Sequence, residues 1–169
     1  MAAVLSVRVY TGTNAGTESA AQTGISFLSI DSAATDATTR QNNPVLAGTA
    51  SFEKHLRLKV DTSPAVSVDN FLWWTDGSGQ ANVNLRAKEG IGTGGATPGS
   101  GDSTPTATAM TSDIDAYTRT SGAKGTWDSA SYVTQNHVTK ALLLQLQPTG
   151  SASPGAWTQE TINFSYDEV

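Results

Sequence analysis

The chain has no cysteine, only two histidines among 169 residues, and charge on just 15% of its side chains. Without thiols there is neither a disulfide scaffold nor a cysteine-ligated metal site. Ten Lys plus Arg stand against fifteen Asp plus Glu, giving a net charge of -5. With no basic stripe anywhere, nothing in the sequence suits a nucleic-acid backbone. Long apolar runs are missing as well. Phe71 to Trp74 and Ala141 to Leu144, like the opening Met1 to Leu5, are short runs, far below the roughly 20 residues that cross a bilayer, so no membrane partner is expected. The opening Met1-Ala-Ala-Val-Leu-Ser-Val meets Arg8 before it can form the apolar core of a secretory leader. The chain is therefore expected to be made in the cytoplasm as it stands.

What replaces charge is Thr, Ser, Gly and Asn, since an ordinary soluble domain carries about 25% ionised side chains. Such a surface is polar but weakly ionic, as in secreted adhesive domains or in proteins packed among many copies of an assembly. One domain spanning residues 1–169 can bury roughly 70% of its unfolded surface, so a core is possible without staples.

Strand periodicity dominates the chain. Leu5, Val7 and Val9 alternate with Ser6 and Arg8 over Val4 to Tyr10, and Ile25 to Ile30 is a second candidate. The clearest case is Ser51 to Asp61: Phe52, Leu56, Leu58 and Val60 fall on one side, and Glu53, His55, Arg57 and Lys59 on the other, with Lys54 as the single exception. Val66 to Trp74 and Ala81 to Lys88 flank Thr75-Asp76-Gly77-Ser78-Gly79 and read as a hairpin with one wet face. Lys140 to Gln147 and Thr158 to Tyr166 read as another pair. Between the halves, residues 89–131 open with a Gly, Ser, Thr and Pro tract too flexible for a core strand, and read as a long insertion. Within it, Ser112 to Tyr117 suggests one helical turn capped by Ser112. With no sustained helical period, the fold class is all-β: a single β-sandwich of about seven to nine strands, immunoglobulin-like or jelly-roll-like.

Candidate sites are sparse. His55 and His137 are the only side chains that titrate near neutral pH in their ordinary state. His55 lies on the charged side of its strand and reads as a surface residue, as does His137. Asp113 and Asp115 could offer oxygens to calcium, and Asp76-Gly77-Ser78-Gly79 could offer more, but the spacing and terminal Glu of an EF-hand are missing. The glycines of Gly90 to Gly101 do not join a strand to a helix, so they form no phosphate cradle. No cofactor and no catalytic set are therefore expected, and a hydrolase ranks last.

Phe71-Leu72-Trp73-Trp74 is the most informative run. Successive side chains of a strand point to opposite faces, so both faces here are apolar. One set fills the core. The other has to be covered by the 89–131 segment, by a neighbouring subunit, or by a flat ligand such as a sugar ring. Leu142-Leu143-Leu144 poses the same question more mildly. Leu72, Trp74, Trp127 and Tyr132 are accordingly the expected partner-binding residues. Trp73, Trp74, Trp127 and Trp157 would be the stacking platform if the partner were a glycan.

The closing run Leu142 to Pro148, then Ala152 to Ala156, then Glu160 to Glu168, resembles the last strands of immunoglobulin-like or fibronectin-like sandwiches of bacteria and viruses. With Tyr10 to Thr17, Ser51 to Leu58 and Asn70 to Gly77, the chain resembles small accessory virion proteins of tailed phages. That resemblance implies a structural, non-enzymatic role in the virion: capsid decoration or cement, or a neck or tail subunit. Its partners would be the major capsid protein and copies of the chain itself. A carbohydrate-binding or receptor-binding module is the alternative from another class.

Overall fold

Leu56, Leu58 and Val60 put three apolar side chains on one face of a strand, and the molecule is organised around the sheet which that strand centres. A computed structural model describes residues 2–76, 79–97, 102–153 and 159–169. Its strands are β1 (Val4–Thr11), β2 (Thr17–Glu18), β3 (Lys54–Thr62), β4 (Val68–Thr75), β5 (Val83–Ile91), β6 (Ile114–Asp115), β7 (Gly125–Asp128), β8 (Ala141–Pro148) and β9 (Ile162–Glu168). One short helix, α1 (Ala37–Asn42), is capped by the Asp36 carboxylate, which accepts from the Thr39 N–H at 2.8 Å.

The strands form two antiparallel sheets, one of order β2-β1-β3-β8-β5-β6 and one of order β7-β4-β9. This is the all-β sandwich expected from the alternation. Leu56, Leu58 and Val60 of β3, Leu142, Leu144 and Leu146 of β8, and Val83, Leu85 and Ala87 of β5 meet Phe71 and Trp73 of β4 and Trp127 of β7 across the core. Phe164 of β9 closes it, standing edge-on to Trp127 with ring centroids 6.3 Å apart.

Several local expectations need correction. Residues 25–30 form no strand; they run as a loop whose Leu28 is buried and whose Leu28 carbonyl accepts from Phe52 N–H at 2.9 Å. The two expected hairpins are sheet crossings instead, because β4 and β9 lie in the small sheet while β5 and β8 lie in the large one. Turn residues signal that the chain reverses, not which strand it then pairs with. Gly77, Ser78 and 154–158 of those connections, Trp157 among them, lie outside the described residues.

The 89–131 insertion is more than a loop. It continues β5 to Ile91, adds β6 to the edge of the large sheet and β7 to the small one. Its helical turn is a 3-10 turn over Ala116–Thr118 capped by Asp115, whereas Ser112 sits at φ 56 outside it.

Where β7 meets β4, Glu89 of β5 accepts from Trp73 Nε1 at 2.9 Å and from Arg119 Nε at 2.9 Å. This knot closes directly over Gly125, and a Cβ there would overlap the Glu89 carboxylate and the Trp73 indole. Gly125→Ala is therefore expected to lower unfolding free energy by about 2 to 4 kcal/mol in urea titrations. Gly122→Ala, where a Cβ meets open space, should change it by less than about 0.5 kcal/mol.

Candidate functional site

The charged side of β3 and the residue before it is not wet. Glu53, His55 and Arg57 are buried there, His55 and Arg57 with no exposed surface, and Lys54 is buried on the opposite face. His55, expected at the surface, is thus an interior residue. The reason is a second cover: residues 102–113 run across the outer face of the large sheet and strap it down. Ala141 and Leu143 of β8 pack under this strap with Met110 and Ile91, a small core separate from the main one.

A buried guanidinium demands neutralisation and hydrogen-bond acceptors, and here all the nitrogens but Nε find one. Arg57 forms an ion pair with Asp102, and both side chains are fully buried. Its Nη1 also donates to the Thr93 carbonyl at 2.7 Å and to the Thr139 carbonyl, and its guanidinium lies 5.6 Å from the centre of the Tyr10 ring. Gly92, at φ +70, leaves the space that Asp102 fills; a Cβ there would collide with the carboxylate.

Further along the strap, the Gln145 amide donates to the carbonyls of Ser51 and Thr108, each at 2.9 Å, and its oxygen accepts from Met110 N–H at 2.8 Å. Glu53 N–H donates to the Thr106 carbonyl at 3.0 Å. Arg86 of β5 secures the far end through an ion pair with Asp113, which holds the Asp113 carboxyl below the usual carboxylate range. His55 Nε2 lies 3.4 Å from Glu53 Oε2. These groups have the chemistry of acids and bases, but their geometry is that of a fastening.

The Asp-x-Asp pair is likewise engaged. Asp113 holds Arg86, and Asp115 accepts from Tyr117 N–H at 3.1 Å. Among the described residues no three His, Asp or Glu side chains group as metal ligands. His137 is half-buried and stands edge-on to Tyr132. A shallow depression of ≈ 400 Å³ lies among Ser29, Pro44, Leu46, Thr49, Ala50 and Ala107, with no titratable side chain in its lining.

Of the four expected partner-binding residues, two belong to the interior. Trp127 is 1% exposed, with Nε1 donating to the Lys140 carbonyl at 3.0 Å. Tyr132 is 5% exposed, and its hydroxyl donates to Asp128 Oδ2 at 2.6 Å. Burial, together with that carboxylate, pushes the phenol well above its ordinary value. The Asp128 carboxylate also accepts from Lys140 and Ala130 N–H, so it fixes the turn that follows β7.

Leu72 and Trp74 are different. Both are half-buried on the outward face of the small sheet, opposite the buried Phe71 and Trp73. Their neighbours there are Thr126 on β7 and Asn163 and Ser165 on β9, by cross-strand register. Lys124, from the insertion, lies with its ammonium 4.3 Å from the Trp74 ring centre. The cover expected from 89–131 is thus present in part, as one flexible side chain.

Lys54 gives the buried layer a pH signature. Its ammonium donates to the Ser32 carbonyl at 2.6 Å, and burial pushes its pKa down to about 8 against an opposing pull from Asp31. Between there and the ordinary 10.5 the unfolded chain binds the extra proton, so stability should rise with pH. The gain between about pH 8 and 10 is expected to be about 2 kcal/mol, and to be missing in Lys54→Met, when unfolding is followed by urea titration at each pH.

The strap makes a second forecast. Arg57→Met leaves Asp102 charged and unpaired, and should cost about 3 to 5 kcal/mol. The double variant Arg57→Met with Asp102→Leu should recover most of that loss, as a double-mutant cycle in urea would show.

Comparison with known protein families, curated proteins and solved structures finds no match to this chain.

Proposed function

We propose that this chain is a structural virion protein of the decoration or cement type. It sits among capsid subunits and adds buried area at their joints; a neck or tail subunit would use the same physics. The observation that carries this reading is the half-buried Leu72–Trp74 strip on the outward face of the small sheet. On the far side of the sandwich lies a buried layer whose ionised groups are spent on holding the chain together. An apolar strip on an otherwise polar sheet face lowers its free energy by meeting another surface.

Many such contacts, each modest, become a stable shell through multivalency, because a copy held at one joint is presented to the next at high effective concentration. A sheet fastened on both faces suits that work. Load applied through the outer face of the small sheet passes into the core through Phe71 and Trp73.

A glycan platform fits the arrangement less well. Trp73 and Trp127 are interior, and the ammonium of Lys124 lies over the Trp74 ring. The reading is tested by adding the purified chain to capsids assembled from the major capsid protein of the same virus. Saturable co-sedimentation is expected, with a rise in the temperature at which the capsids break. Leu72→Glu should weaken binding about tenfold or more. No co-sedimentation at tens of micromolar, or glycan binding abolished by Trp74→Ala, would overturn the proposal.

A further inference from the structure

The outward face of the small sheet is marked by charge as well as by apolar area. Cross-strand register sets four rows on it. Trp74 stands beside Asn163, Leu72 beside Ser165, Asp69 beside Asp167, and Ser67 beside Val169. On β7 the pairs Leu72–Thr126 and Trp73–Gly125 carry Lys124 into the Trp74 row. The face therefore has a cation at one end and two carboxylates directly opposite each other two rows away. Like charges so placed repel, and among the described residues Asn70, whose amide donates to Asp167 at 2.8 Å, is what relieves them. Among the described residues neither Lys124 nor Asp69 has an ion-pair partner.

The spacing has a symmetry. Counted along β9, the Leu72–Ser165 row lies midway between the Lys124–Trp74 row at Asn163 and the Asp69–Asp167 row. A two-fold axis lying in the plane between two such faces, along the central row and so perpendicular to the strands, lays the cationic row of one copy over the acidic row of the other, twice. Isologous interfaces have this property: what residue i offers, residue j of the partner accepts, and the reverse.

We propose that this face packs against the same face of a second copy, with Leu72 on Leu72 at the axis and Lys124 of each copy reaching Asp69 and Asp167 of the other. The proposal rests on the reading of the chain as a multi-copy virion component and names a second copy, not a capsid subunit, as what covers this face; the loss that Leu72→Glu causes on capsids then comes through lost avidity between neighbouring copies. Three strands about 4.8 Å apart, over rows about 3.3 Å per residue along the seven residues of β9, give a footprint roughly 14 by 23 Å. This is below the roughly 800 Å² per partner of a standard complex. The contact is thus weak in solution and strong where copies are crowded.

Sedimentation equilibrium of the purified chain from about 10 µM to 1 mM tests this. A reversible monomer–dimer equilibrium is expected, weakened by added salt. Lys124→Glu and the double variant Asp69→Lys with Asp167→Lys should each weaken self-association about tenfold. An equimolar mixture of the two variants should regain dimers, because the swapped charges meet. That rescue is something a merely misfolded surface would not give. A chain that stays monomeric to 1 mM, or variants whose mixture gains nothing over either alone, would overturn the proposal. Capsid co-sedimentation is read separately: capsid binding without dimers sinks the dimer alone, and dimers without capsid binding sink the decoration reading.

Discussion

A guanidinium with no exposed surface has to be neutralised inside the protein, and at Arg57 this requirement organises half of the fold. The ion pair with Asp102 brings residue 102 across the outer face of β3. From there the strap is laid down over β8 by Gln145 and pinned beyond β5 by Arg86 and Asp113. Once in place, it excludes water from Ala141, Leu143 and Met110. The large sheet is therefore covered twice, by the small sheet on one side and by the strap on the other. A well-packed apolar pair could be as stable here as the ions. What the ions add is register: Asp102 fits only where Gly92 leaves room and where Arg57 waits.

The same arrangement explains which parts of the molecule are legible in its sequence. β1, β3, β5 and β9 follow from alternation, and β4 and β8 from short apolar runs bounded by turn residues, each to within a few residues, because a half-buried strand writes its period directly into the side chains and a doubly covered one writes a run. Alternation distinguishes two faces but does not say that the more polar one is wet. Glu53, His55 and Arg57 alternate as a solvated face would, yet they are buried. The signal that could have corrected this lay on the neighbouring strand. Leu142-Leu143-Leu144 is apolar on both faces, and a strand of that kind has cover on both sides. Its hydrogen-bonded neighbour β3, in register from Lys54–Leu144 to Leu56–Leu142, shares that cover.

Pairing was less legible than strand position. Thr75 to Gly79 has hairpin chemistry, but β4 leaves for one sheet and β5 for the other, since each carries an apolar face that has to be buried against the opposite layer. β6 and β7 escaped detection because each is short and draws its place from partners far away in sequence. Gly125 and Trp127 enter the small sheet only because Trp73 and Glu89 hold the space around them. Trp127 and Tyr132 looked like surface aromatics for the same reason. Their polar atoms are satisfied by Lys140 and Asp128, and no local pattern reveals such partners.

Leu72 and Trp74 remain the part of the aromatic run that the chain does not enclose, and the contrast with Leu143 shows why. Both are outward residues on apolar strands. Leu143 is covered by a strap that Arg57 and Gln145 fasten with buried hydrogen bonds. Among the described residues the small sheet has no such fastener on its outward face: its row-to-row neighbours are Thr126, Asn163 and Ser165, and Lys124 is the side chain that reaches over the ring. A single lysine exchanges rapidly between rotamers and leaves whenever a better counter-charge arrives. The large sheet has thus been closed permanently by its own chain, while the small sheet keeps an apolar strip under a removable side chain, with two facing carboxylates two rows away that Asn70 alone among the described residues eases. A face built in that way is stabilised most by a surface that supplies apolar area and the missing cation together.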